Sequence, residues 1–462
     1  MKSFDIITLT MLTLAVGAVN ADMGNWKDLY TERGKDAFVN KMKEPYIKYQ
    51  NEEKNPLRSP SVRSFINKLK ASNKKKMYPV MLVTALLGAQ LEAKLDRKSV
   101  PYFYCKKKSK WELIWVNIED FLPFIIDCWE DNIKLKYDAV THVYSPAAEG
   151  VQVRVRTGIE NIRFIDPSGL LKSLTGEYNT IINALESIGY QQNKNLIAAP
   201  YDWRVGADSY YLPNGIFHNL KKMIEGAYAN NSNTPVVCVA ESLGNPVLTL
   251  FLNTYVSEAW KAKYIKSYIA LAGVFAGAGQ TVAGVLSPIL DGLPDFIDPN
   301  IIRTLARSFG SIAWLFPNAK YWKDYVFLST PTRNYTASDI GALLEQQSLH
   351  GVYEMYLNNK DLTTLQAPNV TVYCWHGIGV KTPNIFQYDS DNFDQKPKVI
   401  EVDGDGRVPL PSLQVCRRWK DEQSQPVSYR SLPGVTHVGI LSNERVVLDI
   451  LSVATGGQPF SD

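Results

Sequence analysis

Three residue types in the second half of the chain could together cleave an ester: a serine in a tight turn, an aspartate and a histidine. The stretch "VVCVAESLGNP" covers residues 236–246 and sets Ser242 between Ala240 and Gly244. An apolar run, then small-x-Ser-x-Gly, then a helix-like sequence is the setting of a nucleophile elbow. Such a turn crowds the residues two before and two after the serine against each other, so both are expected to be small. The helix behind the turn brings backbone N–H groups and a positive dipole end to the site.

A serine nucleophile needs a base, and the base needs an orienting carboxylate. In this strand-turn-helix setting the chain order is serine, acid, histidine. His350, His376 and His437 are the histidines that follow Ser242. His437 lies in the loop "LPGVTHVGI" between a strand-like and a helix-like segment, where the base belongs. His376 directly follows the apolar "VTVYCW" and reads as a packed, satisfied histidine. His350 sits in a polar stretch. The acid is expected at the end of "VIEVDGDGRVPL". Asp405, followed by a turn and a packing valine, is preferred, and Asp403 reads as a turn residue. The Asp-Gly-Asp-Gly string lacks the remaining ligands of a calcium loop, so neither a metal nor an organic cofactor is expected.

These residues need a scaffold. Apolar runs "YPVMLV", "NLIAA", "PVVCVA", "YIKSYIALAG" and "VTVYCWHG" alternate with segments of helical spacing. Those helices are "LLKSLTGEYNTIINALESIGY", "GIFHNLKKMIEGAYA", "PVLTLFLNTYV" and "ERVVLDILSVA". Buried strands alternating with helices predict an α/β class fold, a mostly parallel sheet covered on both faces. No internal repeat or low-complexity tract interrupts the pattern.

The chain has 462 residues, 45% of them hydrophobic, and a formal net charge of +4. Residues 1–21 read as a signal peptide, with Lys2 before an apolar run too short to span a bilayer and a small-residue cleavage site at Val19-Asn20-Ala21. Residues 22–76 hold 14 Lys/Arg against 7 Asp/Glu and read as a basic extension ahead of the main fold at 77–462. Its end, Lys74-Lys75-Lys76, suits an anionic lipid surface or a plain solvated arm. A secreted chain without a recognition motif excludes nucleic acid as a partner. The secretory route also suits five cysteines, read as two disulfides and one free thiol. Cys238, inside an apolar run, is expected to be the free one. Cys105, Cys128, Cys374 and Cys416 leave three pairings open. Asn230, Asn334 and Asn369 head glycosylation sequons.

Longer strings carry a more specific signal: "QLEAKLD" at 90–96, "IIDCWEDNIKLKY" at 125–137, "APYDWR" at 199–204, "TPTRNYT" at 330–336, "TPNIFQYDS" at 382–390 and "DGDGRV" at 403–408. In order from Tyr78 onward, these resemble the lecithin:cholesterol acyltransferase family, and most its lysosomal phospholipase A2 branch. The resemblance implies an α/β-hydrolase core, a membrane-binding loop at about 100–130 and a cap with a lid at about 274–365, the lid itself falling in 276–300. It implies the triad Ser242, Asp405 and His437, with oxyanion donors at the backbone N–H of Leu243 and Leu86. It implies the disulfides Cys105–Cys128 and Cys374–Cys416. Trp111, Trp115, Phe121, Leu122 and Phe124 would then enter the lipid interface, which suits amphipathic rings.

The implied activity is a calcium-independent phospholipase A and O-acyltransferase, working through a seryl acyl-enzyme at a phospholipid membrane surface. Water or a lipophilic alcohol would accept the acyl group. The implied location is the secretory pathway, ending in the lysosome or outside the cell. Three departures lie near the centre: Thr84-Ala85 for the family's Pro-Gly, Glu241 for the histidine before the nucleophile, and Gly273-Val274-Phe275 for Gly-Ala-Pro. An alanine replaces a positive-φ glycine only if the loop shifts. Glu241 would oppose a developing oxyanion unless a cation such as Arg204 neutralised it. Two alternatives therefore stand beside the enzyme reading: a lipid-binding protein on an impaired hydrolase core, and a lipase or carboxylesterase acting on neutral esters.

Overall fold

The computed structural model describes residues 55–72, 76–121, 125–166, 178–289 and 298–460. The signal peptide, most of the basic extension, Leu122 and Phe124 lie outside the described residues, as do Leu171 and Leu174 of the helical pattern.

Six strands form one all-parallel sheet: β1 (Val80–Val83), β7 (Leu196–Ala199), β8 (Val236–Glu241), β9 (Ile265–Leu271), β12 (Val372–Ile378) and β15 (Val427–Pro433). Their spatial order is β15-β12-β9-β8-β1-β7. Every residue of β1 and β8 is buried, which explains why these strands read as unbroken apolar runs. The chain turns back at β1, placing β7 on one side and β8 on the other. In open parallel sheets, ligand sites form beyond the carboxyl ends of strands at such a reversal. Helices Asn179–Ser187, Ile216–Asn230, Gly244–Thr254 and Glu444–Ala454 flank the sheet, as the periodicity predicts.

Three smaller sheets surround this frame. β2 (Leu91–Leu95), β3 (Glu112–Trp115) and β6 (Val151–Val155) make an antiparallel sheet in the order β3-β2-β6. β4 (Leu135–Asp138) and β5 (Val143–Pro146) pair alone. β10 (Leu328–Ser329), β11 (Asn334–Tyr335), β13 (Val380–Gln387) and β14 (Lys398–Gly404) form the fourth, in the order β11-β10-β13-β14.

Two expectations need correction here. The main fold does not begin at residue 77, because Pro60–Ala71, placed in the basic extension, is a helix that packs on it. It buries Val62, Ile66 and Leu69 at helical spacing, packs against Glu444–Ala454, and sets Phe65 edge-on to Phe460 at 5.0 Å. Its lysines disguise an ordinary amphipathic helix. The first part of the expected lid is core as well. The helix Gly279–Leu286 buries Val282, Ala283, Val285 and Leu286. Its first N–H donates to Asn384 at 2.9 Å, and Ser287 behind it bonds the Tyr388 hydroxyl at 2.6 Å. Residues 290–297 of that segment lie outside the described residues.

Candidate active site

The turn after β8 has elbow geometry. Ser242 has φ +50, a left-handed conformation that costs a non-glycine residue free energy and clusters at functional sites. The strain is held from several directions. Ser242 N–H donates to the Leu271 carbonyl at 3.1 Å, and Asn245 N–H donates to the Ser242 carbonyl at 3.1 Å. The Asn245 side chain donates to Leu271 O at 2.8 Å and accepts from the Tyr268 hydroxyl at 2.8 Å. Gly244 is required, but not for the expected reason. A Cβ there would meet the Val83 and Thr84 carbonyls at 2.8 Å, so the crowding comes from the end of β1 rather than from Ala240.

His437 reaches this serine from 195 residues away, with Nε2 2.9 Å from Ser242 Oγ. Its Nδ1 lies 2.7 Å from Asp405 Oδ2. A carboxylate can only accept, so Nδ1 carries the proton and, in the neutral ring, Nε2 accepts the serine hydroxyl. Asp405 is fully buried. Its other oxygen accepts the N–H groups of Arg407 (3.1 Å) and Val408 (2.8 Å), and its carbonyl accepts the His437 N–H at 2.8 Å. Gly377 on β12 lets the histidine loop come this close, because a Cβ there would meet the Val435 carbonyl at 1.7 Å.

The acid follows a strand, but not one of the parallel sheet. β14 belongs to the four-stranded sheet, and the chain leaves β12, runs out through β13 and returns along β14 before reaching Asp405. A lone bridge between Val380 and Asp405 closes this excursion. Asp403 is not a turn residue, since it lies within β14 and accepts the Gly379 N–H at 2.7 Å. His376 is packed as expected. It contacts the Tyr429 hydroxyl at 2.7 Å and the Gly377 carbonyl at 2.8 Å, and burial holds its pKa below the usual imidazole range. His350 begins an outer helix, exposed to solvent.

The loop after β1 faces the elbow. Ala85 is not in the left-handed region; that conformation belongs to Leu87, at φ +66. The alanine therefore strains nothing. Aromatic side chains pin the loop through its carbonyls. Tyr178 donates to Val83 O at 2.9 Å, Trp115 to Leu87 O at 2.7 Å and Trp203 to Ala89 O at 3.0 Å. Among the described residues, no backbone hydrogen bond uses the N–H of Leu86 or of Leu243. For Leu243 the cause is general, since the first N–H groups of a helix have no partner within it.

Two other departures resolve plainly. Phe275 is buried edge-on against Trp419, with ring centroids 5.0 Å apart. Arg204 does not serve Glu241 as expected. Its guanidinium is committed to Asp202, at 2.9 and 2.7 Å, and to the Ile133 carbonyl at 2.8 Å. Glu241 lies instead beside His437, with Oε1 3.4 Å from its Nε2.

Both expected disulfides are present, Cys105–Cys128 and Cys374–Cys416. Cys238 is the free, buried thiol, its pKa pushed up to about 12 by burial. Asn230 and Asn334 are exposed, whereas Asn369 is half-buried and donates its side-chain amide to Glu258 at 3.1 Å.

The expected lipid-facing residues need the largest correction. Trp115 lies between Trp203 and Trp129, at 5.3 and 6.3 Å, and Phe121 packs on Trp129 at 4.7 Å. Arg154 covers Trp111 at 4.0 Å. These rings are half-buried and already packed against other side chains of the protein. The open aromatics of this loop, among its described residues, are Tyr102, Phe103 and Tyr104, just ahead of Cys105, with Phe103 98% exposed. Their sequence signal is "PYFYCKKK", three adjacent rings running into lysines.

Ser242, His437 and Asp405 stand in one hydrogen-bonded line, the serine at the carboxyl end of β8 and the aspartate after β14, and both expected disulfides are formed, the arrangement that the long sequence strings imply. The lecithin:cholesterol acyltransferase family profile matches residues 111–351 and 341–444. The chain belongs to this family. Among its relatives, a rat protein named lysosomal phospholipase A and acyltransferase is 38% identical over 373 residues, covering 79% of this chain and 87% of its own. The human protein of that name is 36% identical, with 82% and 90% covered. Phosphatidylcholine-sterol acyltransferase of Papio anubis is 32% identical, with 82% and 85% covered. An α/β-hydrolase fold in this family accounts for the parallel sheet and its flanking helices.

Proposed function

We propose that the chain is a phospholipase A and acyltransferase that works through Ser242. The observation carrying this reading is the hydrogen-bonded line Ser242–His437–Asp405. His437 takes the Ser242 proton as Oγ attacks an acyl ester carbonyl of a glycerophospholipid. Asp405 orients the ring and stabilises the imidazolium. The N–H groups of Leu243 and Leu86 receive the developing oxyanion. The leaving alcohol takes the proton, and water or a lipophilic alcohol then deacylates the serine. None of these steps calls on calcium.

The relatives' names support the substrate class, and the word lysosomal in them supports a lysosomal or secreted destination. Two disulfides suit such an oxidising route. No described helix is long and apolar enough to cross a membrane. Contact with the phospholipid surface is assigned here to Tyr102, Phe103 and Tyr104, with exposed Lys106, Lys107, Lys108 and Lys110 beside them. Aromatic rings next to lysines suit an anionic interface.

The test is acyl release and transfer on phospholipid vesicles containing a lipophilic alcohol, with chelator present. Wild type is expected to form both free fatty acid and acylated alcohol. Ser242→Ala is expected to lose at least about 10³-fold while keeping its melting temperature. Equal activity in the variant, or no product from folded wild type bound to vesicles, would reject this reading.

A further inference from the structure

His437 has two acidic neighbours, one at each ring nitrogen. Asp405 faces Nδ1 at 2.7 Å, and Glu241 faces Nε2 at 3.4 Å. Both carboxylates are buried, Glu241 to 2% relative exposure and Asp405 to 0%. Water and salt therefore screen them weakly. We infer that Glu241 is a positioning residue that withholds the base: it keeps a proton on the Glu241–His437 pair into a more alkaline range than Asp405 alone would. This rests on the acyl-transfer reading of Ser242.

The argument is a count of buried charge. With a neutral imidazole and both carboxylates ionised, two negative charges sit on either side of one ring. Adding a proton leaves one. An opposite charge within a few ångströms favours the protonated ring, and a second like charge nearby favours it further. The proton belongs to the coupled group rather than to one atom. If it sits on the ring, Nε2 is a donor and cannot accept from Ser242. If it sits on Glu241, the carboxyl competes with the Ser242 hydroxyl for the Nε2 lone pair. Either way the nucleophile has no base. Once the proton leaves, the ionised Glu241 favours the imidazolium that forms as Ser242 attacks. The residue thus sets the pH at which the base becomes available without removing the base.

The remaining titratable groups described around the pair do not replace it in this role. Arg407, on the turn after β14, supplies a backbone N–H to Asp405. His376 is held by Tyr429 and Gly377, and Asp403 by the Gly379 N–H. Arg204 is committed to Asp202.

The experiment is a titration of His437 by NMR in histidine-labelled protein, comparing Ser242→Ala with Ser242→Ala/Glu241→Gln. The His437 resonance is assigned from a His437→Asn spectrum. Because no turnover is needed, the result stands apart from the fate of the acyl-transfer reading. The midpoint is expected to fall by about one pH unit or more on removing the Glu241 charge, a tenfold change in proton affinity. In the active pair, wild type against Glu241→Gln, the acid limb of kcat/KM is expected to move the same way. Coincident midpoints in folded proteins would overturn the proposal. Should the glutamine variant fail to fold, Glu241→Asp retracts the charge from Nε2, and a midpoint unchanged from the parent would overturn it equally.

Discussion

Two aromatic clusters, both near the antiparallel sheet β2–β3–β6, are used in opposite ways. Around the loop after β1, Trp115, Trp203 and Tyr178 turn their polar ends onto backbone carbonyls and their faces into the core. At the tip before Cys105, Tyr102 stacks on Tyr104 at 5.2 Å and Phe103 lies open. Ring type, then, does not decide role. A packed tryptophan is tolerated where its N–H finds an acceptor, and the carbonyls of the loop after β1 supply one. At the tip it is exposure that marks the rings, Phe103 at 98% above all.

The largest expected effect belongs to the buried side of this comparison. Asp405→Asn should lower kcat/KM by about 10³–10⁴-fold on any ester, because it disturbs the tautomer that Ser242 needs. Vesicle binding, measured by sedimentation, should not change. A loss confined to vesicle substrates would break the division between chemistry and surface. Next comes Trp115→Ala. It removes a packed ring and frees the Leu87 carbonyl, and should cost about 2–4 kcal/mol of stability in chemical denaturation. Were Trp115 a lipid anchor instead, stability would hold and vesicle binding would fall.

Phe103→Ser should do the reverse. It should weaken vesicle binding about tenfold, in line with one aromatic ring lost from an apolar contact, while soluble-ester turnover and melting temperature stay put. The smallest effect tests His376. Burial depresses its folded-state proton affinity below that of the unfolded chain. Its contribution to stability is therefore present above the ordinary histidine value of about 6.5 and is lost as pH falls below it. A His376→Gln variant should show a shallower decline of melting temperature between neutral and acidic pH. An equal slope in both proteins would put the acid sensitivity elsewhere.

Much of the site is legible in the sequence. Ser242 is marked by a buried strand on one side and a helix on the other, and His437 by chain order and its loop. The helix Pro60–Ala71 is legible too, since Val62, Ile66 and Leu69 are spaced for one face, but its lysines favour a solvated arm when charge is weighed above spacing. Glu241 stands out as a foreign residue beside the nucleophile, which suggests an effect on the oxyanion. Its actual neighbour, His437, depends on how closely two loops approach.

The features that sequence settles are local: apolar runs that must be buried strands, and helices with one apolar face. These follow from steric and hydrophobic rules that act within a few residues. The features that required the folded chain are long-range. Asp405 comes back to His437 through an excursion in a second sheet, closed by the Val380–Asp405 bridge. Ser242 and His437 meet across 195 residues, and Trp115 crosses 28 residues to hold Leu87. Such contacts form when strand order brings a donor opposite an unpaired carbonyl or carboxylate, and local propensity carries no information about which group will be waiting there.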